Sequence, residues 1–445
     1  MRLVDGLRLG PGRVAAFTGA GGKSTAIGRL AAEMAAVHPV VVTTTTRLAL
    51  SQTSLAQAHL IAGQPGALEA LPGLLRTAGS VLVTGARATD EPKWLGLEAE
   101  LLEQVRQITV AAGGSVLVEA DGARARSLKA PADYEPVVPA CADLVVPLAG
   151  LDVLGAACDD GLVHRPERVA EISGGHRGEP LTDAHLQRIL TDERGALKGV
   201  PPAAEVRLLL NKADNEPRLM AGVRLAEAAL SQPRIQAVLL GAVAGDSPVS
   251  QVVGRVAGVV LAAGGSARLG RPKQLLPWRG QPLVWHAARA ALDGGLDPVA
   301  VVAGAEAEAV GASLADAGVR LVENRDWEQG QSTSVRLGLR AVQPGVEAVV
   351  FLLADTPFVD AALLRALVAC HRRTLSPIVA PRAGDRLANP VLFDRSTFAS
   401  LLTLDGDRGG RQLFGRFGVQ AIDWDPRIAT DIDTDEDWRR LLGAG

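Results

Sequence analysis

Thirteen short, mostly apolar runs alternate with Ala- and Leu-rich stretches along this chain, and that alternation constrains the fold more than any other feature. In the first half the runs fall at residues 14–17, 40–44, 81–84, 115–119, 144–147, 206–210 and 238–240. In the second they fall at 256–261, 298–302, 319–322, 348–353, 378–380 and 418–422. Runs this short and this uniformly apolar read as strands buried on both faces of largely parallel sheets, with helices between them. At 445 residues the chain is too long for one ordinary core. Segment 241–256 has the polar and Gly/Pro content of a boundary, although its Val/Gln part could equally be helical. The reading is α/β in two domains, 1–252 and 253–445.

Composition excludes several classes. The formal net charge is -3, so the basic stripe of a general nucleic-acid binder is not expected. No apolar run approaches a membrane span, and the first residues lack the apolar core of a signal peptide. Three cysteines without a CxxC pair and seven histidines without ligand spacing point to a reducing cytoplasm rather than a disulfide framework. Of 46 basic residues six are lysines, and Lys23, Lys129, Lys212 and Lys273 all fall in motif-like stretches. A compact ammonium is evidently wanted there in place of arginine's planar fork.

Two glycine clusters each follow an apolar run. The first is "FTGAGGKST", residues 17–25. Strand, glycine loop and helix in this order form an anion cradle, in which Gly19, Gly21 and Gly22 let backbone N–H groups turn toward phosphate. Lys23 would reach the β- and γ-phosphates, and Ser24 or Thr25 would hold Mg²⁺. Phe17 stands where the usual P-loop has its first glycine, so the loop is a variant. "SVLVEADGARARSLKAP" ends a strand in Glu119 and Asp121, carboxylates able to hold the metal directly or through water. "VRLLLNKADN" runs a strand into N-K-x-D. There Asp214 would accept from the guanine N1–H and 2-amino group, Asn211 would meet the base edge and Lys212 would lie along the ring. GTP is the expected nucleotide, with ATP as the other choice. Thr43 to Thr46 either face the γ-phosphate or are simple strand formers.

Together with "VVTTTTRL" and "VLVEADGARARSLKAPADYEPVVP", these strings resemble the YqeC family of selenium-dependent hydroxylase accessory proteins over residues 10–245. The resemblance implies a nucleotide and a molybdenum hydroxylase apoenzyme as partner, without defining a reaction.

The second cluster is "VVLAAGGSARLGRPKQLLPW", residues 259–278. Its Lys273 comes too late for a P-loop. Leu261, Ala262, Ala263, Gly264, Gly265, Ser266 and Gly270 would instead wrap a triphosphate, with Arg268 and Lys273 neutralising charge on the α-phosphate and leaving pyrophosphate. "AVVFLLADTPFV" runs a buried strand into Asp355, a carboxylate at the ligand end of a parallel sheet. "IATDIDTDEDW" offers Asp433 as a second metal ligand, or alternatively an acidic helix cap.

The glycine pattern resembles the MobA-like nucleotidyltransferase superfamily, and "LAAG" its cytidine- or adenosine-using members rather than the guanylyl enzymes with "LAGG". "NRDWEQGQSTSVRLGLRAV" and "ANPVLFDRSTFASLLTLDGDRGGRQLF" resemble the MocA-like molybdenum cofactor cytidylyltransferases, with Gln331 and Val335 departing from the usual Met and Leu. That resemblance spans 254–440. It implies that Ser332 and Ser334 face the nucleotide, and that Asn389, Pro390, Asp407 and Arg411 face an anionic acceptor. The expected architecture is an N-terminal P-loop-type parallel sheet joined to a C-terminal Rossmann-like nucleotidyltransferase. The implied reaction joins CMP from CTP to molybdopterin with Mg²⁺, releasing pyrophosphate. Two other readings stay open: a cofactor chaperone with little turnover, and a transferase acting on another phosphorylated acceptor.

Overall fold

The computed structural model describes all residues except 267, 268, 344, 408, 444 and 445. The chain divides into two compact units, Met1–Val253 and Gly254–Gly445.

The first unit is built on nine strands: β1 (Val14–Gly19), β2 (Val40–Thr44), β3 (Ala58–Ile61), β4 (Ser80–Thr84), β5 (Ser115–Glu119), β6 (Leu144–Gly150), β7 (Glu205–Asn211), β8 (Ile235–Leu240) and β9 (Gln251–Gly254). They lie in the order β9-β8-β7-β6-β1-β5-β2-β4-β3, and every pairing from β8 to β3 is parallel. Parallel strands need crossovers, here helices such as α1 (Lys23–Ala35), α2 (Ala99–Ala111) and α3 (Glu216–Ala229). Alternation along each strand divides the core. Val14, Ala16, Val116 and Val118 share a cluster with Leu102 and Val105 of α2.

The second unit holds β10 (Val256–Ala262), β11 (Val299–Ala303), β12 (Arg320–Glu323), β13 (Ala348–Leu353), β14 (Ile378–Ala383), β15 (Arg386–Leu387), β16 (Val391–Asp394) and β17 (Gln420–Trp424). Its order is β12-β11-β10-β13-β16-β14-β15, with β17 paired to β14. The first four are mutually parallel, and β16 runs antiparallel to β13 and β14. Helices α4 (Leu283–Asp293) and α6 (Ala361–Thr374) cover one face through Val284, Ala288, Leu363 and Leu367. Helix α5 (Gln331–Val342) covers the other through Val335 and Leu339. Gly338 lets α5 approach closely, because a Cβ there would come within 2.4 Å of a methyl of Val259. A last helix, α7, spans Asp435–Gly443.

Four strands differ from the sequence reading. The Val/Gln part of the boundary is an edge strand, β9, not a helix. β3, β15 and β16 are not among the thirteen runs; β3 is half-buried throughout, so it carries no continuous apolar signal, and β15 has two residues.

Candidate active site and the two glycine loops

Because β10 and β13 are parallel neighbours, the loop after Ala262 and the turn after Leu353 open on the same side. Between them lies a cavity of about 750 Å³. Leu261 to Gly264, Lys273 and Gln274 line one wall, Ala354 and Asp355 another, and Trp327, Ser334, Gly406 and Asp407 the rest. The Lys273 Nζ lies 2.5 Å from Asp355 Oδ2 and 2.7 Å from Asp433 Oδ1. The Ile432 amide donates to the Asp355 carbonyl at 3.1 Å, which lays the segment carrying Asp433 beside the turn. Burial works against the Lys273 charge, but the two carboxylates overcome it and hold its pKa above the usual lysine range. The other oxygen of Asp355, Oδ1, is buried and has no hydrogen-bond partner among the described residues. A buried carboxylate oxygen in that state is costly unless a cation completes it. The residues therefore fit a divalent metal held by Asp355 and Asp433.

Ser266 organises the glycine loop. Its Oγ accepts from the Lys273 amide at 3.0 Å, and its carbonyl accepts from the Leu269 and Gly270 amides at 3.1 Å. Arg268, the other cation expected here, lies outside the described residues. Trp327 packs against two glycines. A Cβ at Gly265 would come within 2.8 Å of the indole, and one at Gly304 would meet Trp327 at 2.8 Å and the Ala263 carbonyl at 2.5 Å.

Ser334 lines the cavity and accepts a hydrogen bond from Asn324 Nδ2 at 2.9 Å. Ser332 is not among the described residues lining it; its fully buried hydroxyl has no hydrogen-bond partner among the described residues, while its amide donates to the Gly406 carbonyl at 3.2 Å. Asp407 accepts from the Gln331 amide at 3.2 Å, so it caps α5 as well as facing the cavity. Asn389, Pro390 and Arg411 are not among the residues lining the cavity, nor are Gly265, Ser266 and Gly270.

In the first unit β1 lies between β5 and β6, which brings the glycine loop to the end of β5. The loop is less open than the sequence implied. The Gly19 amide donates to Asp121 Oδ2 at 3.1 Å, Ala20 to the Leu148 carbonyl at 3.0 Å and Gly21 to the Arg126 carbonyl at 2.8 Å. Gly22, at φ 120°, starts α1, whose first-turn N–H groups lack intrahelical partners. An anion would meet those. Lys23 is folded back onto the Gly19 carbonyl at 2.5 Å and Asp121 at 3.0 Å. Asp121 also pairs with Lys129 at 2.9 Å, and Lys129 with Glu135 at 2.8 Å. Asp121 is thereby enclosed in a buried ion cluster, whereas Glu119 stays with Ser24 at 3.5 Å. Burial raises the Glu119 pKa, and Asp121 adds to this. Thr25 is exposed on the helix.

The N-K-x-D segment does something other than expected. Asn211 donates to the Gly21 carbonyl at 2.6 Å and accepts from the Val243 amide at 2.9 Å, tying the glycine loop to β7. Lys212 is pinned by Asp152 and Ser127, each at 2.7 Å. Asp214 points into solvent and pairs with Arg218 at 2.8 Å, an exposed contact that a ligand can displace cheaply.

A family model described as the MobA-like NTP transferase domain matches residues 258–421. Nicotine blue oxidoreductase of Paenarthrobacter nicotinovorans is 37% identical over 42% of this chain and 96% of its own length. The chain belongs to the MobA-like NTP transferase family. Its first half carries a YqeC domain, matched over residues 15–167. A probable molybdenum cofactor guanylyltransferase of Mycobacterium avium is 29% identical over 43% of this chain and 96% of its own length. The uncharacterized YqeC protein of Escherichia coli is 31% identical over 28% of this chain, which spans 49% of that relative. Within this MobA-like half, sequence reasoning missed Trp327. It stands inside a string read for its serines, and its signal was a tryptophan four residues before a helix that starts after Gly330.

Proposed function

We propose that the MobA-like half transfers a cytidylyl group from CTP to the phosphate of a molybdopterin-type acceptor. The observation that carries this reading is the Lys273 ammonium held between Asp355 and Asp433 at the wall of the 750 Å³ cavity. The acceptor phosphate oxygen attacks the α-phosphorus, the bond to the β-phosphate oxygen breaks, and pyrophosphate leaves. The acceptor is already ionised, so no general base is needed. On this reading Lys273 neutralises charge on the phosphates and the Leu261–Gly264 backbone positions them; that both line the cavity supports it. Mg²⁺ held by Asp355 and Asp433 would supply Lewis-acid charge for the same phosphates. Cytidine is favoured because this chain has Ala263 where guanylyl members carry glycine, although one relative is named for guanylyl transfer.

A screen of the four nucleoside triphosphates by pyrophosphate release, with molybdopterin as acceptor, tests this. CTP is expected to be preferred, and Asp355→Ala to lose about 10²-fold or more of the rate. Equal activity in that variant would break the metal assignment. The oxidoreductase name of the 37%-identical relative gives a second reading, a redox reaction in the same cavity. Pyrophosphate release separates the two.

For the YqeC half the proposal is nucleotide binding at the start of α1, GTP before ATP, in service of a molybdenum hydroxylase. The exposure of Asp214, whose surface pair with Arg218 a ligand can displace, supports it. Asp214→Asn is expected to weaken GTP binding about tenfold or more while CTP-dependent pyrophosphate release continues. Unchanged GTP affinity would remove the guanine reading.

A further inference from the structure

The YqeC half contains a hollow whose lining, among the described residues, includes Thr45 and Thr46 but no residue of the glycine loop 17–25. Its volume is about 780 Å³, and it opens beyond the carboxyl ends of β2 and β4, where the chain continues as Thr45–Thr46–Arg47 and Gly85–Ala86. Open parallel sheets hold ligands at this end, and the size suits a small organic molecule. The walls are apolar, built by Leu97, Leu101 and Leu102 at the start of α2 and by Val137, Val138 and Ala140 opposite. Two large apolar side chains on this lining remain in solvent, Leu95 at 37% exposure and Val137 at 45%.

The charges restrict the ligand. The charged residues on the lining are Arg47, Glu98 and Glu103. Arg47 is already held by Asp90 at 2.8 Å and Glu91 at 2.9 Å. Glu103 is held by Arg106 at 2.6 Å, and Glu98 stands at the N-cap of α2, where an anion would otherwise be welcome. Among the described lining residues Arg47 is the one cation, and a phosphate would have to displace its two carboxylate partners while facing Glu98 and Glu103. The hollow also touches the glycine-loop site through the backbone. Thr45 donates its amide to the Glu119 carbonyl at 3.2 Å and its hydroxyl to the Val137 carbonyl at 2.7 Å.

We propose that this hollow binds an uncharged, mainly apolar small organic molecule rather than a nucleotide or phosphate ester. The proposal is independent of cytidylyl transfer, which uses the other half of the chain. Cys141 provides a reporter, because it lines the hollow and is half-buried while Cys158 and Cys370 are buried.

The test uses the full chain, the neutral dye Nile red as probe, and alkylation of Cys141 by N-ethylmaleimide to locate it. With saturating CTP and Mg²⁺ present, the dye is expected to bind at one saturable site and to slow Cys141 alkylation several-fold. Ala140→Trp, which places an indole at the mouth, and Leu95→Asp, which charges the rim, are each expected to weaken the dye about tenfold or more. Both positions are exposed, so circular dichroism should be unchanged. The proposal is overturned by no saturable binding, by displacement with CTP, by unprotected Cys141, or by wild-type affinity in both variants.

Discussion

Four of the six lysines show why a chain so rich in arginine keeps them. Lys23, Lys129, Lys212 and Lys273 each touch a carboxylate within 3.0 Å, and the first two are buried. A compact ammonium fits between two oxygens inside a core where a guanidinium fork does not. Their clustering in motifs was legible in the sequence, and Asp121, Glu135, Asp355 and Asp433 stand in strings the sequence singles out; that they are the lysines' partners was not, and Asp152, 60 residues before Lys212, carries no local signature. Glu119 yields a prediction at this scale. Burial raises its pKa above the ordinary 4.5, so the protonated form is favoured in the folded state. Its stabilising contribution is complete below about pH 4.5 and is lost as pH rises through the raised value, leaving a cost at neutral pH. Glu119→Gln removes the charge and keeps the shape. Denaturant melts at pH 7.5 should show the variant more stable than wild type, with the difference shrinking toward pH 4.5. A variant less stable at both pH values would show that the carboxylate is satisfied in the folded protein.

At the scale of elements, the central strands were readable because burial on both faces demands unbroken apolar runs. β2, β5 and β13 match their runs to the residue. Burial did not decide every case: the edge strand β12 was read, β3 is half-buried along its length and β9 sits in a polar boundary whose composition says nothing about pairing, and the buried central strand β16 was missed inside a string read for Asn389 and Pro390. The glycine loop of the second half was legible as a cradle, but its depth depends on packing that sequence does not announce. Gly304 follows β11 and leaves room for both the Ala263 carbonyl and the Trp327 side chain. Gly304→Ala would place a methyl within 2.5 Å of backbone that cannot retreat. The variant should lose about 1–3 kcal/mol of stability and displace Trp327 from the cavity wall. A raised KM for CTP together with a lower unfolding midpoint is the expected pair of results. An unaltered KM would mean that Trp327 does not shape the nucleotide end of the cavity.

For the whole molecule, the question is where the chain can be divided. The composition boundary falls near residue 252, but Val252 and Val253 are buried, and β9 continues to Gly254 alongside β8. Arg255 belongs to the second unit, since its Nε donates to the Gly345 carbonyl at 3.1 Å. Each unit has its own sheet and its own buried clusters, Val206, Leu208 and Val238 among others in the first, Val260, Val301 and Val350 in the second. A fragment of residues 1–254 and one of 255–445 should therefore each fold with a cooperative transition. The second should keep CTP-dependent pyrophosphate release within a few-fold of the full chain. A fragment ending at 250 loses an edge strand and uncovers β8, and should be less stable than 1–254 by roughly 2–4 kcal/mol. Denaturant titrations of the three fragments measure this. If 1–250 and 1–254 unfold together, β9 contributes nothing to the first core, and the boundary lies where composition alone places it.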